Sequence, residues 1–358
     1  MIKILVVDDS ALMRKLLGEI FGAEPDFEVR TARNGVEALE NLHRYAPDVI
    51  TLDVHMPQMD GLACLDRIML ERPCPVVMVS AVTAEGANAT FEALDLGAVD
   101  FIAKPDGAIS LGIRDMAAQL VAKVRGAAGA RLRRSLRLRE RVRYRSGANR
   151  VAPRSARNPD DRSVDRLHGD GLVLVGTSTG GPPALETLLS ALPARFPWPI
   201  LVAQHMPASF TGSLARRLDG ICALTVLELL QPTVMKPGCA YIGRGDADLI
   251  VTRRKAGLTA MPAPPRPDYP WHPSTDRLVR SAMEHLPANQ LVGVLMTGMG
   301  SDGAGAMTLL HEQGGKTIAE SEETAVVWGM PGELVKANGA DWVLPLPAIA
   351  GCLQRLLP

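Results

Sequence analysis

Ser178 stands in Gly176-Thr177-Ser178-Thr179-Gly180-Gly181, a run of small residues directly after the apolar stretch Leu172-Val173-Leu174-Val175. Pro182 or Pro183 can open a helix right behind it. Glycines let the backbone turn sharply and approach a ligand closely, and N–H groups at a helix start hold anions. Two chemistries fit such a turn: phosphate binding, or a nucleophilic serine beside an oxyanion hole. The phosphate-loop spelling GxxxxGKS/T and the dinucleotide spelling GxGxxG are both absent from it. GxSxG is present as Gly176–Gly180, a pattern short enough to arise by chance.

A serine attacks an ester only with a base beside it. Residues 167–358 hold five histidines: His168, His205, His272, His285 and His311. His205, in Gln204-His205-Met206-Pro207, follows the apolar run Ile200-Leu201-Val202-Ala203, which places it at the same sheet edge as Ser178. His285 and His311 fall in helical patterns and read as surface or packing residues. His272 lies in the Pro-rich stretch Met261–Pro273, which reads as a long surface loop or a flap over a site, and can flank that site. The imidazole needs an orienting partner. Asp302, in Met296-Thr297-Gly298-Met299-Gly300-Ser301-Asp302-Gly303, follows the strand candidate Leu291–Leu295. An Asp there also suits a helix N-cap, and the two roles are compatible.

A second constellation lies near the start. Asp8 and Asp9 end the run Ile2–Val7, Asp53 ends Val49–Leu52, Ser80 ends Pro75–Val79, and Lys104 follows Phe101-Ile102-Ala103. In an open parallel sheet, ligands bind outside the carboxyl ends of strands. Three carboxylates, a hydroxyl and an ammonium would then share one edge. Carboxylates so placed repel unless a hard divalent cation such as Mg²⁺ offsets them. A carboxylate between Mg²⁺ and Lys can accept a phosphoryl group. Any single Asp of this kind can instead merely cap the next helix.

The elements that must position these groups follow from periodicity. Residues 1–104 alternate short apolar runs (Ile2–Val7, Val29–Thr31, Val49–Leu52, Val76–Val79, Phe101–Ile102) with amphipathic stretches such as Ala11–Phe21 and Gly35–Tyr45. A further helix is expected over Leu111–Val124. From Gly171 a second series of the same kind begins. The expectation is an α/β protein with two doubly wound three-layer α/β/α domains, the first five-stranded and the second built on a mainly parallel sheet. The limits read as 1–124, a segment 125–166, and 167–358.

The chain has 358 residues, 39 Lys+Arg and 39 Asp+Glu, so its formal net charge is zero. That balance would exclude a nucleic-acid binder only if it were even. Residues 1–124 carry net −8, residues 125–166 carry net +10 from 14 Arg and 4 acidic residues, and residues 167–358 carry net −2. The five cysteines have no metal-type spacing and read as free thiols of a reducing cytoplasm. The start, Met1–Val7, reads as a buried strand and not as a signal peptide. No apolar run reaches the ~18 residues of a membrane span.

Val6-Val7-Asp8-Asp9-Ser10, Leu52-Asp53-Val54-His55-Met56-Pro57, Ser80-Ala81 and Lys104-Pro105 resemble a response-regulator receiver domain. The resemblance implies that Asp53 is the phospho-acceptor, that Asp8 and Asp9 help hold Mg²⁺, and that Ser80 and Lys104 contact the phosphoryl group. Phe101 would be the aromatic switch position, and a histidine kinase the phosphodonor. His55 stands where methylesterase-type receivers usually carry Glu. Residues from about 171 to 355 resemble the catalytic domain of chemotaxis-type protein-glutamate methylesterases, on Gly176–Gly181, Gln204–Pro207, Ala240-Tyr241-Ile242, His272–Asp276, Thr297–Gly303 and Gly329-Met330-Pro331. His272-Pro273-Ser274 departs from the His-Arg-Pro-Ser spelling of that family. The resemblance implies a Ser178–His205–Asp302 triad that hydrolyses glutamate methyl esters on methyl-accepting chemoreceptors, with glutamine deamidation as a second activity and no cofactor for the esterase step. Backbone N–H groups near Thr179 and Met299 are the oxyanion-hole candidates. Two alternatives use the Arg-rich segment instead: a DNA-binding response regulator, or a scaffold that binds partners without catalysis.

Overall fold

A computed structural model describes residues 1–80, 83–104, 116–132, 167 and 169–357. The first sheet is formed by β1 (Ile2–Val7), β2 (Phe27–Ala32), β3 (Val49–Asp53), β4 (Val76–Ser80) and β5 (Asp100–Ala103), in the order β2-β1-β3-β4-β5, all parallel. Strands buried on both faces read as continuous apolar runs, because alternate side chains serve opposite layers. Ile4 and Val6 pack with Met13, Leu16 and Phe21 of α1 (Ala11–Gly22) and with Leu120 and Val124 of α5 (Ala117–Ala128). Leu5 and Val7 face the other way, toward α2 (Gly35–Arg44), α3 (Gly61–Glu71) and α4 (Ala84–Leu96). Side-chain caps start the early helices: Ser10, Asn34, Asp60 and Thr83 each accept a hydrogen bond from a first-turn N–H.

The second sheet is seven-stranded and parallel, in the order β15-β14-β13-β6-β7-β10-β8. Its central strands are β13 (Leu291–Leu295), β6 (Leu172–Thr177) and β7 (Ile200–Gln204), followed by β10 (Cys239–Gly243) and β8 (Thr225–Leu229); β14 (Lys316–Glu320) and β15 (Trp342–Leu344) complete the other side. Helices α6 (Gly181–Ser190), α7 (Ala208–Ile221) and α11 (Leu346–Leu356) pack on one layer; α8 (Thr275–Met283), α9 (Ala304–Glu312) and α10 (Met330–Lys336) supply the other. The chain is thus α/β with two parallel sheets, as its periodicity requires. A small antiparallel sheet, β11 (Asp248–Arg254), β12 (Gly257–Ala263) and β9 (Thr233–Val234), lies beside them.

Two local readings change. Met261–Ala263 belong to β12 and not to a loop; Pro262 is tolerated because β9 pairs only with Thr259 and Ala260, leaving that edge open. The helix expected over Leu111–Val124 is described from Ala117 and runs on to Ala128, into the start of the Arg-rich segment. Pro105, Ala81, His168 and most of residues 125–166 lie outside the described residues.

One apolar cluster runs continuously between the two halves. Phe91 and Leu94 of α4 and Phe101 of β5 share it with Leu188 of α6 and Phe210 and Leu214 of α7. The Phe101 and Phe210 rings lie 4.5 Å apart between centroids.

Candidate active site

Thr177 and Gln204 pair in parallel on β6 and β7, so the next residues, Ser178 and His205, leave adjacent strands side by side. The His205 N–H donates to Thr177 O at 3.1 Å. Gln204 Nε2 donates to both Ser178 O and His205 O, each at 3.0 Å, which ties the two strand exits together. Gly180 sits at φ 77° at the N-cap of α6, a conformation that suits glycine and lets the chain turn under Ser178. Behind it, Thr297 O accepts from the Ser178 N–H and from Thr177 Oγ1, both at 3.0 Å. Thr297 is fixed in turn by the buried Glu320 carboxylate, which accepts its N–H at 2.9 Å.

Asp302 reaches His205 from the β13 edge, with Nε2 and Oδ2 2.8 Å apart. Its carboxylate also accepts from Thr275 N (2.6 Å), Ser274 Oγ (2.9 Å) and Asp276 N (3.1 Å). Burial opposes ionisation of Asp302, but the His205 hydrogen bond, the His205 charge and the two backbone N–H groups outweigh it and hold the carboxyl below its usual range. An ionised carboxylate only accepts, so Nε2 carries the hydrogen, and in the neutral ring Nδ1 keeps the lone pair. Nδ1 is buried and has no hydrogen-bond partner among the described residues. Neither the Ser178 hydroxyl nor the N–H groups of Thr179 and Met299 are engaged among the described residues, although Ser178 and Thr179 are buried. Catalytic hydrogen bonds often tighten only in the substrate complex.

His272 flanks the same site. Its Nδ1 lies 2.8 Å from Asp248 Oδ1, and the fully buried Asp248 also binds Ser274 N and Arg277. Trp271, beside it, stacks on the His205 ring. His285 follows α8, and His311 on α9 pairs with Asp341 at 3.1 Å. Neither reaches the site.

The first half of the chain closes over this mouth. Thr179 Oγ1 donates to Asp100 Oδ2 of β5 at 2.6 Å. Asp100 Oδ1 accepts from Lys123 of α5 at 2.9 Å. Gly126 of α5 packs on Met299, where a Cβ would lie 3.5 Å from that side chain. A cavity of about 250 Å³ remains between the halves, lined by Phe101, Met116 and Leu120 on one side and His205, Pro207 and Trp271 on the other. Arg217 of α7 bridges Asp95 of α4, at 2.9 Å to both oxygens, and Glu186 of α6. Arg131 binds Glu322 at 2.7 Å. Neither Asp100 nor Trp271 carries a sequence signal; each acts through contacts to distant segments.

The acidic cluster also assembles. Asp8, Asp9 and Asp53 each offer an oxygen within 4.8 Å of the others. Lys104 Nζ lies 2.8 Å from Asp53 Oδ2 and 3.0 Å from Asp8 Oδ2. Burial pushes the Asp53 carboxyl up, with Asp8 adding to the rise and Lys104 opposing it. Three hard oxygen donors crowded at one edge fit a divalent cation such as Mg²⁺. Ser80 is fully buried at the same edge, its hydroxyl donating to Gly86 O at 3.2 Å. The exposed His55 contributes its backbone N–H, 3.4 Å from Asp53 Oδ1.

A family model described as CheB methylesterase matches residues 173–353, and one described as response regulator receiver domain matches residues 4–111. The chain is 56% identical over 356 residues to protein-glutamate methylesterase/protein-glutamine glutaminase 2 of Rhodopseudomonas palustris, covering 99% of this chain and 97% of that one. It is 52% identical to the corresponding protein 3 of Rhodospirillum rubrum, covering 99% and 96%. The crystal structure of the Thermotoga maritima CheB methylesterase catalytic domain superposes with a TM-score of 0.50 at 37% identity, covering 52% of this chain and 98% of that one. With both halves matched in order over nearly the whole length, the chain belongs to the CheB-type protein-glutamate methylesterase/protein-glutamine glutaminase family, a methylesterase domain joined to a response-regulator receiver domain.

Proposed function

We propose that this chain removes methyl esters from glutamate side chains of methyl-accepting chemoreceptors, and deamidates receptor glutamines, under control of phosphorylation at Asp53. The single observation that carries the chemistry is the Asp302–His205 pair held beside the strand exit of Ser178. Ser178 Oγ attacks the γ-carbonyl while His205 Nδ1 takes its proton. Asp302 holds the imidazole tautomer and stabilises the imidazolium. The free N–H groups of Thr179 and Met299 would receive the oxyanion, one such donor being worth ~3 kcal/mol. His205 then gives its proton to departing methanol, and water, activated by the same imidazole, releases the glutamate. A γ-amide has the same geometry with ammonia as the leaving group. The esterase step, so written, uses only side chains and backbone N–H groups.

In the receiver, Asp8, Asp9 and Asp53 would hold Mg²⁺, whose charge would offset that of the phosphoryl group arriving from a histidine kinase. Lys104 and Ser80 would contact the phosphorylated Asp53. The receiver (1–124) would cover the mouth of the catalytic domain (167–358) until phosphorylation loosens it; Phe101, packed on Phe210, lies where such a change would reach the interface. The setting would be the cytoplasm, whose reducing conditions would keep the five cysteines as free thiols. Among the described residues no helix is long and apolar enough to cross a membrane. The family matches give the DNA-binding reading no support, and the described arginines of the Arg-rich segment pair within the chain, Arg125 with Glu24 and Asp26, and Arg131 with Glu322.

Methanol release from methylated receptor-bearing membranes, with and without a small phosphodonor, tests both parts. Ser178→Ala should abolish release, and Asp53→Ala should lose the response to phosphodonor. Release surviving in the first overturns the triad; a wild-type response in the second overturns the gating.

A further inference from the structure

The segment from Trp271 to Asp276, a loop that runs into the first turn of α8, grips the proposed general base and its partner from two sides. Ser274, Thr275 and Asp276 all bind the Asp302 carboxylate. Trp271 lies on His205, with ring centroids 5.8 Å apart and planes inclined by only 13°. The loop is itself anchored: the buried Asp248 takes the His272 Nδ1–H, the Ser274 N–H and the Arg277 guanidinium at once. Trp271 is thus held by the neighbouring clamp and has little freedom to leave the imidazole.

Two consequences follow from elementary physics. Asp302 fixes one nitrogen of His205 but not the rotation of the ring about that bond, and a flat neighbour lying on the ring face fixes the plane. The face of an indole also carries negative quadrupole charge, and a cation within ~6 Å of its centre is attracted. His205 becomes such a cation each time it takes the Ser178 proton, in a site that leaves it almost no water. We propose that Trp271 is a positioning residue of the ester hydrolysis, which holds the plane of the His205 ring and stabilises its imidazolium, and that the Arg277–Asp248–His272 anchor keeps it there. This rests on His205 being the base.

The other ionisable groups around His205 are Asp302 and, beyond it, Asp276; His272 with Asp248 and Arg277 behind it; and Lys123 with Asp100 from the receiver side. All of them remain when Trp271 is changed, so a shift in His205 titration reports the indole. The experiment uses the full chain, labelled with ¹⁵N-histidine, together with methanol release from methylated receptor membranes in the presence of a phosphodonor. Trp271→Met keeps apolar bulk without a ring face. It should lower the His205 titration midpoint by about half a pH unit and reduce kcat roughly three- to ten-fold with KM unchanged. Trp271→Phe should recover most of both. A midpoint that stays or rises in Trp271→Met, a loss confined to KM, or a Phe variant as impaired as Met overturns the proposal. If thermal unfolding shows that Trp271→Met does not fold, Trp271→Leu is read against Trp271→Phe by the same criteria. His205→Gln assigns the resonance; if it retained methanol release, the triad reading and not the role of Trp271 would have failed.

Discussion

At the scale of single residues, the site turns on which nitrogen of His205 holds a proton. The ionised Asp302 decides this by accepting from Nε2, which leaves Nδ1 free for the role of base proposed above. Asp302→Asn presents an amide whose N–H can favour the wrong tautomer, and kcat for methanol release should fall by about 10⁴-fold with little change in KM. The same variant reports stability. The folded-state value of Asp302 lies below that of the unfolded chain, so its ionised form contributes stability that is fully present above the unfolded value of ~3.9 and is lost as pH falls through the folded value. Wild type should therefore exceed Asp302→Asn in urea midpoint near pH 7, and the gap should narrow progressively as pH falls below ~3.9. A gap that persists in acid would mean that packing, and not charge, sets the difference. Ser178, His205 and Asp302 are legible in sequence because each ends or follows a short buried strand at its carboxyl edge. Trp271 is not, because it sits in a Pro-rich run without periodicity, and its partner is 66 residues away in sequence.

At the scale of elements, the small residues around Ser178 are spacing devices. Gly298, just past β13, approaches Ser178, the proposed nucleophile, so closely that a Cβ would lie 2.8 Å from Ser178 Cβ and 3.1 Å from Ser178 N. The Met330 thioether, which the same Cβ would meet, can move; the strand exit at Ser178 cannot move without shifting the Ser178 hydroxyl. Gly298→Ala should therefore cost activity as well as folding: roughly 10²-fold in kcat, the penalty of a displacement near 1 Å, and ~1–3 kcal/mol in denaturant unfolding. Unchanged kcat would show that the strand ends absorb the extra methyl group. The helical and strand patterns gave the parallel core of both sheets. They did not give the antiparallel sheet β11-β12-β9, because Pro262 and the following prolines argue against a strand unless an open edge is already known.

At the scale of the molecule, the two halves share one apolar cluster and a set of polar ties across the mouth of the site. The Arg217–Asp95 pair is partly exposed and lies away from Ser178, so it can be cut without touching the chemistry. Asp95→Asn leaves Arg217 its bond to Glu186 and removes the charge that joins it to the receiver. Basal methanol release, without phosphodonor, should rise by up to about five-fold, the factor set by the ~1 kcal/mol of such a pair. The rise should shrink at high salt. Basal release that stays flat at low salt would mean that this pair does not hold the halves together.

The zero net charge is now the sum of unlike parts. The acidic surplus of the first half includes Asp8, Asp9 and Asp53, crowded at one edge, and Asp95 and Asp100, turned toward the second half. The described arginines at the start of the basic strip reach in both directions, Arg125 to the receiver and Arg131 to Glu322. By itself the sequence determined the α/β class, the residues at the strand ends and the family they resemble, because apolar runs and small-residue turns are local signals. Only the tertiary structure decided which nitrogen of His205 is free, which loop clamps Asp302, what lies on the imidazole and which receiver residue touches Thr179. Those are contacts between segments far apart in the chain, and no local pattern encodes them.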